Sequence, residues 1–421
     1  MFKPLQLLLE RVIETGTLIV HSSRGNVFRF GNGRAPQVAI RLADRRLERQ
    51  LALNPNLIVG EAFMCGRLEM IEGRIYDLIA LVLENATRHP VPRWALVGDR
   101  LRYLARRANQ FNPAWRSERN VSHHYDLEDG IYDLFLDPER QYSCGYFASD
   151  RVDLDEAQRA KICHIAAKLD LDEDHRLLDI GSGWGGLALN LASMTGCSVD
   201  GITLSMPQLA YAQRWAAKRA LDHRVRFDRA DYREHQGRYD RIVSVGMFEH
   251  VGVNHFSTYF ARIGDLLEDD GVALIHFIAR ADRPAATNAF IARHIFPGGY
   301  IPALSEVLPA IERSGLIVAD IEILRLHYAL TLRHWRERFI ARWDRAREIR
   351  GEEFCRMWEF YLAGSEAAFR YQNLVVAQIQ LTKRLSTLPI VRDYISGSEA
   401  ALRHPHVADV PRERSSRQPD R

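Results

Sequence analysis

The sequence predicts an α/β protein, a mostly parallel sheet wrapped by helices, with a small α+β module ahead of it. Three observations carry this. From about residue 140 to 330, short apolar runs alternate with helical stretches, and strands covered on both faces read as uninterrupted apolar runs. A glycine-rich turn, GSGWGG at 181–186, directly follows one of those runs. Residues 1–87 instead hold short alternating segments divided by turn letters.

Taken in order, Thr17–Val20 and Val27–Phe30 read as strands, GNG at 31–33 as a turn and Ile75–Asn85 as a helix, giving a small domain over 1–87. Residues 88–120 carry eight arginines against Asp99 and Glu118, with Pro90, Pro92 and Pro113, and read as a basic linker, helical over Val97–Ala108. A solvated charged segment explains that composition; attraction to anionic head groups matters only if the protein works on a membrane. The main domain spans 121–398. Its strands are Arg176–Ile180, Ser198–Thr203, Val225–Asp228, Asp240–Val245 and Val272–Ile278, with helices after the glycine turn and over Pro207–Ala220 and Thr258–Leu267. Residues 279–305, marked by FPGGYIP, read as an insertion. Helices dominate 331–395, and 399–421 reads as a disordered polar tail.

Composition excludes several classes. A formal charge of +3 is too even for a dedicated nucleic-acid binder. Five cysteines, at 65, 144, 163, 197 and 355, are odd in number and lack CxxC spacing, which argues against a disulfide framework and a cysteine zinc site. His123 and His124, neighbours on an irregular segment, are not read as metal ligands. Leu78–Leu83, the longest apolar run beyond the N-terminal stretch, is far too short to span a bilayer. The expectation is a cytoplasmic protein, or one touching a membrane from the side.

Gly181, Gly183 and Gly186 fit GxGxxG, a nucleotide-loop pattern that is weak alone. Asp179, Gly181, Gly183 and Gly185 fit the methyltransferase pattern acidic-x-GxGxG equally well. A dinucleotide site wants an acidic residue at the end of the second strand. Here Thr203, Leu204 and Ser205 leave that strand, which favours S-adenosylmethionine.

Longer blocks then carry a resemblance. HHYDLEDGIYDLFLDPERQYSCGYF (123–147), DIGSGWGG, GITLSMPQ, DRIVSVGMFEHVG (240–252), LIHFI, IFPGG and HYALTLRHW (327–335) stand in an order that resembles the cyclopropane-fatty-acyl-phospholipid synthase family, which includes the mycolic acid cyclopropane synthases. The likeness covers roughly 120–395. It implies a Rossmann-like class I methyltransferase sheet with helical insertions, and the first hundred-odd residues resemble the N-terminal domain of the larger bacterial members. Ser182 departs from the pattern, standing where many members have Cys; a small residue keeps the turn.

The resemblance implies an enzyme that transfers methylene from S-adenosylmethionine to the cis double bond of unsaturated acyl chains in membrane phospholipids. It implies a bound bicarbonate as general base, held by Cys144, Glu249, His276, Ile278 (through its backbone) and Tyr328. The cofactor positions it implies are Tyr125, Tyr142, Ser143, Asp179, Gly181, Gly183, Thr203, Leu204, Gln208 and Tyr232. It further implies a protein peripheral on the inner face of the cytoplasmic membrane, without nucleic acid, and a homodimer by analogy with the larger members. Each residue also has an ordinary reading: Cys144 as a small buried hydrophobe, His276 as a satisfied core histidine, Glu249 as a helix-start carboxylate, Tyr328 as a packed aromatic. Trp335, Phe339 and Trp343 repeat along Leu332–Arg347 as a core-facing stripe, with a basic rim that suits anionic lipid. Two other outcomes remain open on this scaffold: methyl transfer that leaves a methyl-branched chain, and a silent lipid-binding protein.

Overall fold

The computed structural model describes residues 1–88, 102–103, 110 and 129–403. The N-terminal module holds β1 (Thr17–His21), β2 (Val27–Gly31), β3 (Gln37–Leu42) and β4 (Leu68–Glu72), ordered β2-β1-β3-β4. Helices Lys3–Val12, Arg45–Leu53, Pro55–Met64 and Ile75–Arg88 belong to the same module. Asp44 caps the second of these, accepting from Leu47 N at 2.8 Å.

The main sheet has seven strands: β5 (Arg176–Ile180), β6 (Ser198–Thr203), β7 (Val225–Arg229), β8 (Tyr239–Val245), β9 (Leu267–Arg280), β10 (Ile317–Leu324) and β11 (Leu374–Thr382). Their order is β10-β11-β9-β8-β5-β6-β7. The neighbours from β9 to β7 pair in parallel, whereas β11 runs antiparallel to both β9 and β10. β5 lies between β6 and β8, so the chain leaves it toward one side and returns on the other. That switch point opens a crevice at the carboxyl ends of the strands.

Helices dominate 331–395, as expected, but the stretch also holds β11, a strand the sequence reading did not separate, inserted between β9 and β10. All nine of its residues are buried, Gln378 and Gln380 included. The stripe over Leu332–Arg347 is two helices, His327–Ala341 and Trp343–Arg350, broken at Arg342 (φ −116°, ψ 27°). Trp335 and Phe339 are fully buried core residues, and Trp343 only partly so. Finally, a helix over Asp393–Arg403 runs past the boundary set at 398. Most of the basic linker and the tail beyond 403 lie outside the described residues, as do Tyr125, His123 and His124. Among the described residues no helix is long and apolar enough to cross a membrane.

Candidate active site at the switch point

β5 ends at Ile180, and the loop crosses toward β6: the amides of Gly181 and Ser182 both donate to Ile202 O, at 2.9 and 3.0 Å. Gly181, Gly183 and Gly185 all have positive φ. Their reasons differ. A Cβ at Gly185 would sit 2.6 Å from the Phe227 ring, so that glycine serves packing. A Cβ at Gly183 would have only Gln208 Nε2 within reach, at 4.0 Å. Gly183 therefore borders open space, which glycine leaves to a ligand. The helix Gly186–Thr195 begins there and turns its N-terminus to the same region.

The space is a cavity of about 160 Å³. Of the ten residues implied for the cofactor, Tyr142, Ser143, Asp179, Gly181, Gly183, Thr203, Leu204, Gln208 and Tyr232 line it. Thr203 Oγ1 donates to Gln208 Oε1 at 3.3 Å, and Ser205 caps the helix Met206–Lys218 that carries Gln208. Tyr142 OH lies 2.8 Å from Tyr361 OH, and its ring packs 5.0 Å from Trp335. Asp179 is buried, and its Oδ2 has no hydrogen-bond partner among the described residues. Burial pushes its carboxyl up to about 7, opposed by the charge of Lys161. An orphaned acceptor, a glycine that opens onto the cavity, and hydroxyl and amide groups on the adjoining strand end fit a cofactor with an amino-acid part and a ribose.

The five residues implied for the base site lie outside that cavity's lining. Cys144 and Tyr328 share one aromatic cluster, against which Ile278 packs. His276 and Ile278 alternate with Phe277 on β9, so they share a face. Glu249 follows β8 in the short turn Phe248–His250, and its Oε1 accepts from Ile278 N at 2.7 Å. The resemblance gives this amide to an ion; in the structure it donates to Glu249. The β8–β9 ladder ends at Val245 and His276, so the Ile278 amide has no strand partner on that side and satisfies the carboxylate instead. Glu249 Oε2 stays buried without a partner among the described residues. Desolvation lifts the carboxyl to about 7, the Ile278 bond opposing it. Gln378 Nε2 lies 3.1 Å from His276 Nδ1, and burial holds that imidazole neutral. Burial also raises the Cys144 thiol far above its ordinary range, so it stays protonated.

Some residues at or beside the cavity were not singled out in the sequence, although Arg140 and His250 lie within its matched blocks. His250 lines the cavity with its imidazole pushed down to about 4 by burial. Arg140, held at φ 48°, lays its guanidinium over Tyr211 at 4.1 Å beside the cavity. Tyr361 sits on a distant helix whose apolar letters look like any core face. Only the folded contact identifies it.

Comparison with known proteins agrees with this geometry. Residues 113–379 match the mycolic acid cyclopropane synthetase family. A "probable fatty acid methyltransferase" of Pseudomonas putida is 36% identical, covering 84% of this chain and 89% of its own. The cyclopropane-fatty-acyl-phospholipid synthase of Escherichia coli (strain K12) is 34% identical over the same shares. Among solved structures, mycolic acid cyclopropane synthase CmaA1 complexed with SAH and CTAB is 33% identical, with a TM-score of 0.60, covering 65% of this chain and 99% of its own. With more than half its length in that match, the chain belongs to the mycolic acid cyclopropane synthetase family and is an S-adenosylmethionine-dependent methyltransferase.

Proposed function

We propose that this enzyme is a cyclopropane fatty acid synthase, acting on the cis double bond of unsaturated acyl chains in membrane phospholipids from a peripheral position on the inner face of the cytoplasmic membrane. S-adenosylmethionine supplies the electrophilic methyl group. The alkene is a weak nucleophile, and its attack leaves a carbocation that must lose one proton from the new methyl group to close the ring. The protein's own groups must therefore exclude water, take that proton and leave the cation untrapped.

Burial meets the last demand. The Cys144 thiol and the Tyr142 and Tyr361 hydroxyls are all held protonated by desolvation, which removes the strongest nucleophiles from the neighbourhood. Glu249 carries the reading. Its unpartnered Oε2 is a buried acceptor waiting for a donor, and its carboxyl titrates near neutrality, where acid–base exchange is most effective. Bicarbonate would suit this place: Glu249 Oε2 would accept from its hydroxyl, His276, Cys144 and Tyr328 are the other residues that would hold it, and it would supply a base for the departing proton. In this arrangement the Ile278 amide orients Glu249 and not the ion.

Vesicles of a cis-unsaturated phospholipid, incubated with protein and S-adenosylmethionine, test the product by mass spectrometry. Ring closure adds one CH2 and consumes the double bond; a methyl branch fragments differently, and unchanged lipid would remove the proposal. Glu249→Gln tests the base site. It should keep the fold and lose turnover by about 10²–10⁴-fold, the usual contribution of a general base, with partial rescue by added bicarbonate. Near-normal turnover, indifferent to bicarbonate, would reduce Glu249 to a structural carboxylate.

A further inference from the structure

The helix Leu154–Lys168 carries Gln158, Lys161, His164 and Lys168 at steps of three and four, and all four are buried. The Lys161 ammonium donates to Gln141 Oε1 at 2.6 Å and to Ser143 Oγ at 2.9 Å. One turn earlier, Gln158 Nε2 donates to the carbonyls of the same two residues, at 3.3 and 2.9 Å. The run 141–144 has no helix or strand of its own, so these side chains stand in for a ladder.

That run faces two ways. Gln141, Tyr142 and Ser143 line the cavity, while Cys144 belongs to the aromatic cluster with Tyr328. The charged and titratable groups facing the ammonium come from three elements: Asp137 and Cys144 from the loop, Asp179 from β5 and His276 from β9. Asp137 is bonded by the amides of Glu139 and Gln141. Asp179 keeps an oxygen without a partner among the described residues, and the charge of Lys161 opposes the rise of its carboxyl.

We propose that Lys161 is a positioning residue for methyl transfer: its ammonium fixes the 141–144 run as the wall shared by the cofactor cavity and the Glu249 site, and provides the counter-charge of Asp179. This rests on the S-adenosylmethionine reading of the cavity. Burial lowers the ammonium to about 8. Below that pH it is charged and holds both acceptors; as pH rises through about 8 the charge is lost, and activity falls with it.

The full chain tests this, with calorimetry for S-adenosylmethionine affinity and turnover against pH on cis-unsaturated phospholipid vesicles. Folded Lys161→Met should bind S-adenosylmethionine about tenfold more weakly, the scale of one charged hydrogen bond. Its kcat should fall on the order of 10²-fold, as for a slightly misplaced site, and the alkaline limb near pH 8 should vanish. Ser143→Ala keeps the ammonium but removes an acceptor, so the limb should move to lower pH. If Lys161→Met does not fold, Ser143→Ala decides alone. A purely structural lysine lowers the melting temperature and leaves affinity and limb unchanged, and that result overturns the proposal. Wild-type protein that binds no S-adenosylmethionine removes the cavity reading and this inference together; wild-type binding with unmoved variants removes the inference only.

Discussion

At Gly183, positive φ and open space coincide. A side chain there meets backbone strain and also enters the volume the cofactor needs. Gly183→Val should therefore abolish S-adenosylmethionine binding in calorimetry while circular dichroism still reports a folded protein; retained affinity would remove the loop assignment. Glu249 gives a second outcome. Its native carboxyl titrates near 7 against about 4.3 in an unfolded chain. Between those values the native state keeps a proton that the unfolded chain releases, so this group's contribution to stability declines as pH rises through the window. Turnover should do the opposite, rising through about pH 7 as the carboxylate forms. Asp179 titrates in the same region, so the assignment is made by comparison: the acid limb should disappear in Glu249→Gln and persist if Asp179 is its source.

Elements differed in how openly the sequence showed them. β5, with its glycine turn, was legible because an uninterrupted apolar run meets letters that only a tight turn explains. β11 was not. LVVAQIQLT follows a long helix, and its two glutamines look like a solvent face, yet both are buried and bonded: Gln378 to His276, Gln380 Nε2 to Tyr394 OH at 2.6 Å. The helix Leu154–Lys168 misleads in the same way, since its polar stripe points into the protein. No periodicity separates a solvated lysine from one enclosed between a loop and a sheet. From the helix Glu352–Tyr371, the Tyr361 hydroxyl reaches Tyr142 on the cavity wall. Tyr361→Phe removes that bond to Tyr142 and should cost about 1 kcal/mol, read as a lower urea midpoint with unchanged slope. A larger loss, or none, would mean the two rings are held by their packing on Trp335 and Trp358 instead.

On the scale of the whole molecule, the N-terminal module rests on the catalytic unit through helix Glu352–Tyr371. Gly60 packs directly against Phe290 and Phe360, where a Cβ would have no room. Glu61 Oε1 meets His294 at 3.0 Å and Arg293 at 3.1 Å. Arg336 lies over the Tyr76 ring at 4.5 Å and pairs with Glu366 at 3.0 Å, both charges buried. Breaking that pair from one side strands a charge, so Glu366→Leu should cost about 3–5 kcal/mol. Glu366 Oε1 also accepts from Arg370 Nε at 3.1 Å, so the double variant Arg336→Met with Glu366→Leu should recover only part of the loss; no recovery would assign it to packing or to Arg370. The position of β11 has a further consequence, one of timing. His276 waits for a neighbour 102 residues later in the chain, and the strand completing its sheet comes from residues 374–382 of 421. Domains assemble as units during synthesis, and distant strand pairing is slow. The proposed base site therefore cannot be complete until residues 374–382 have been made, and β10, whose ladder neighbour is β11, joins the sheet only together with it.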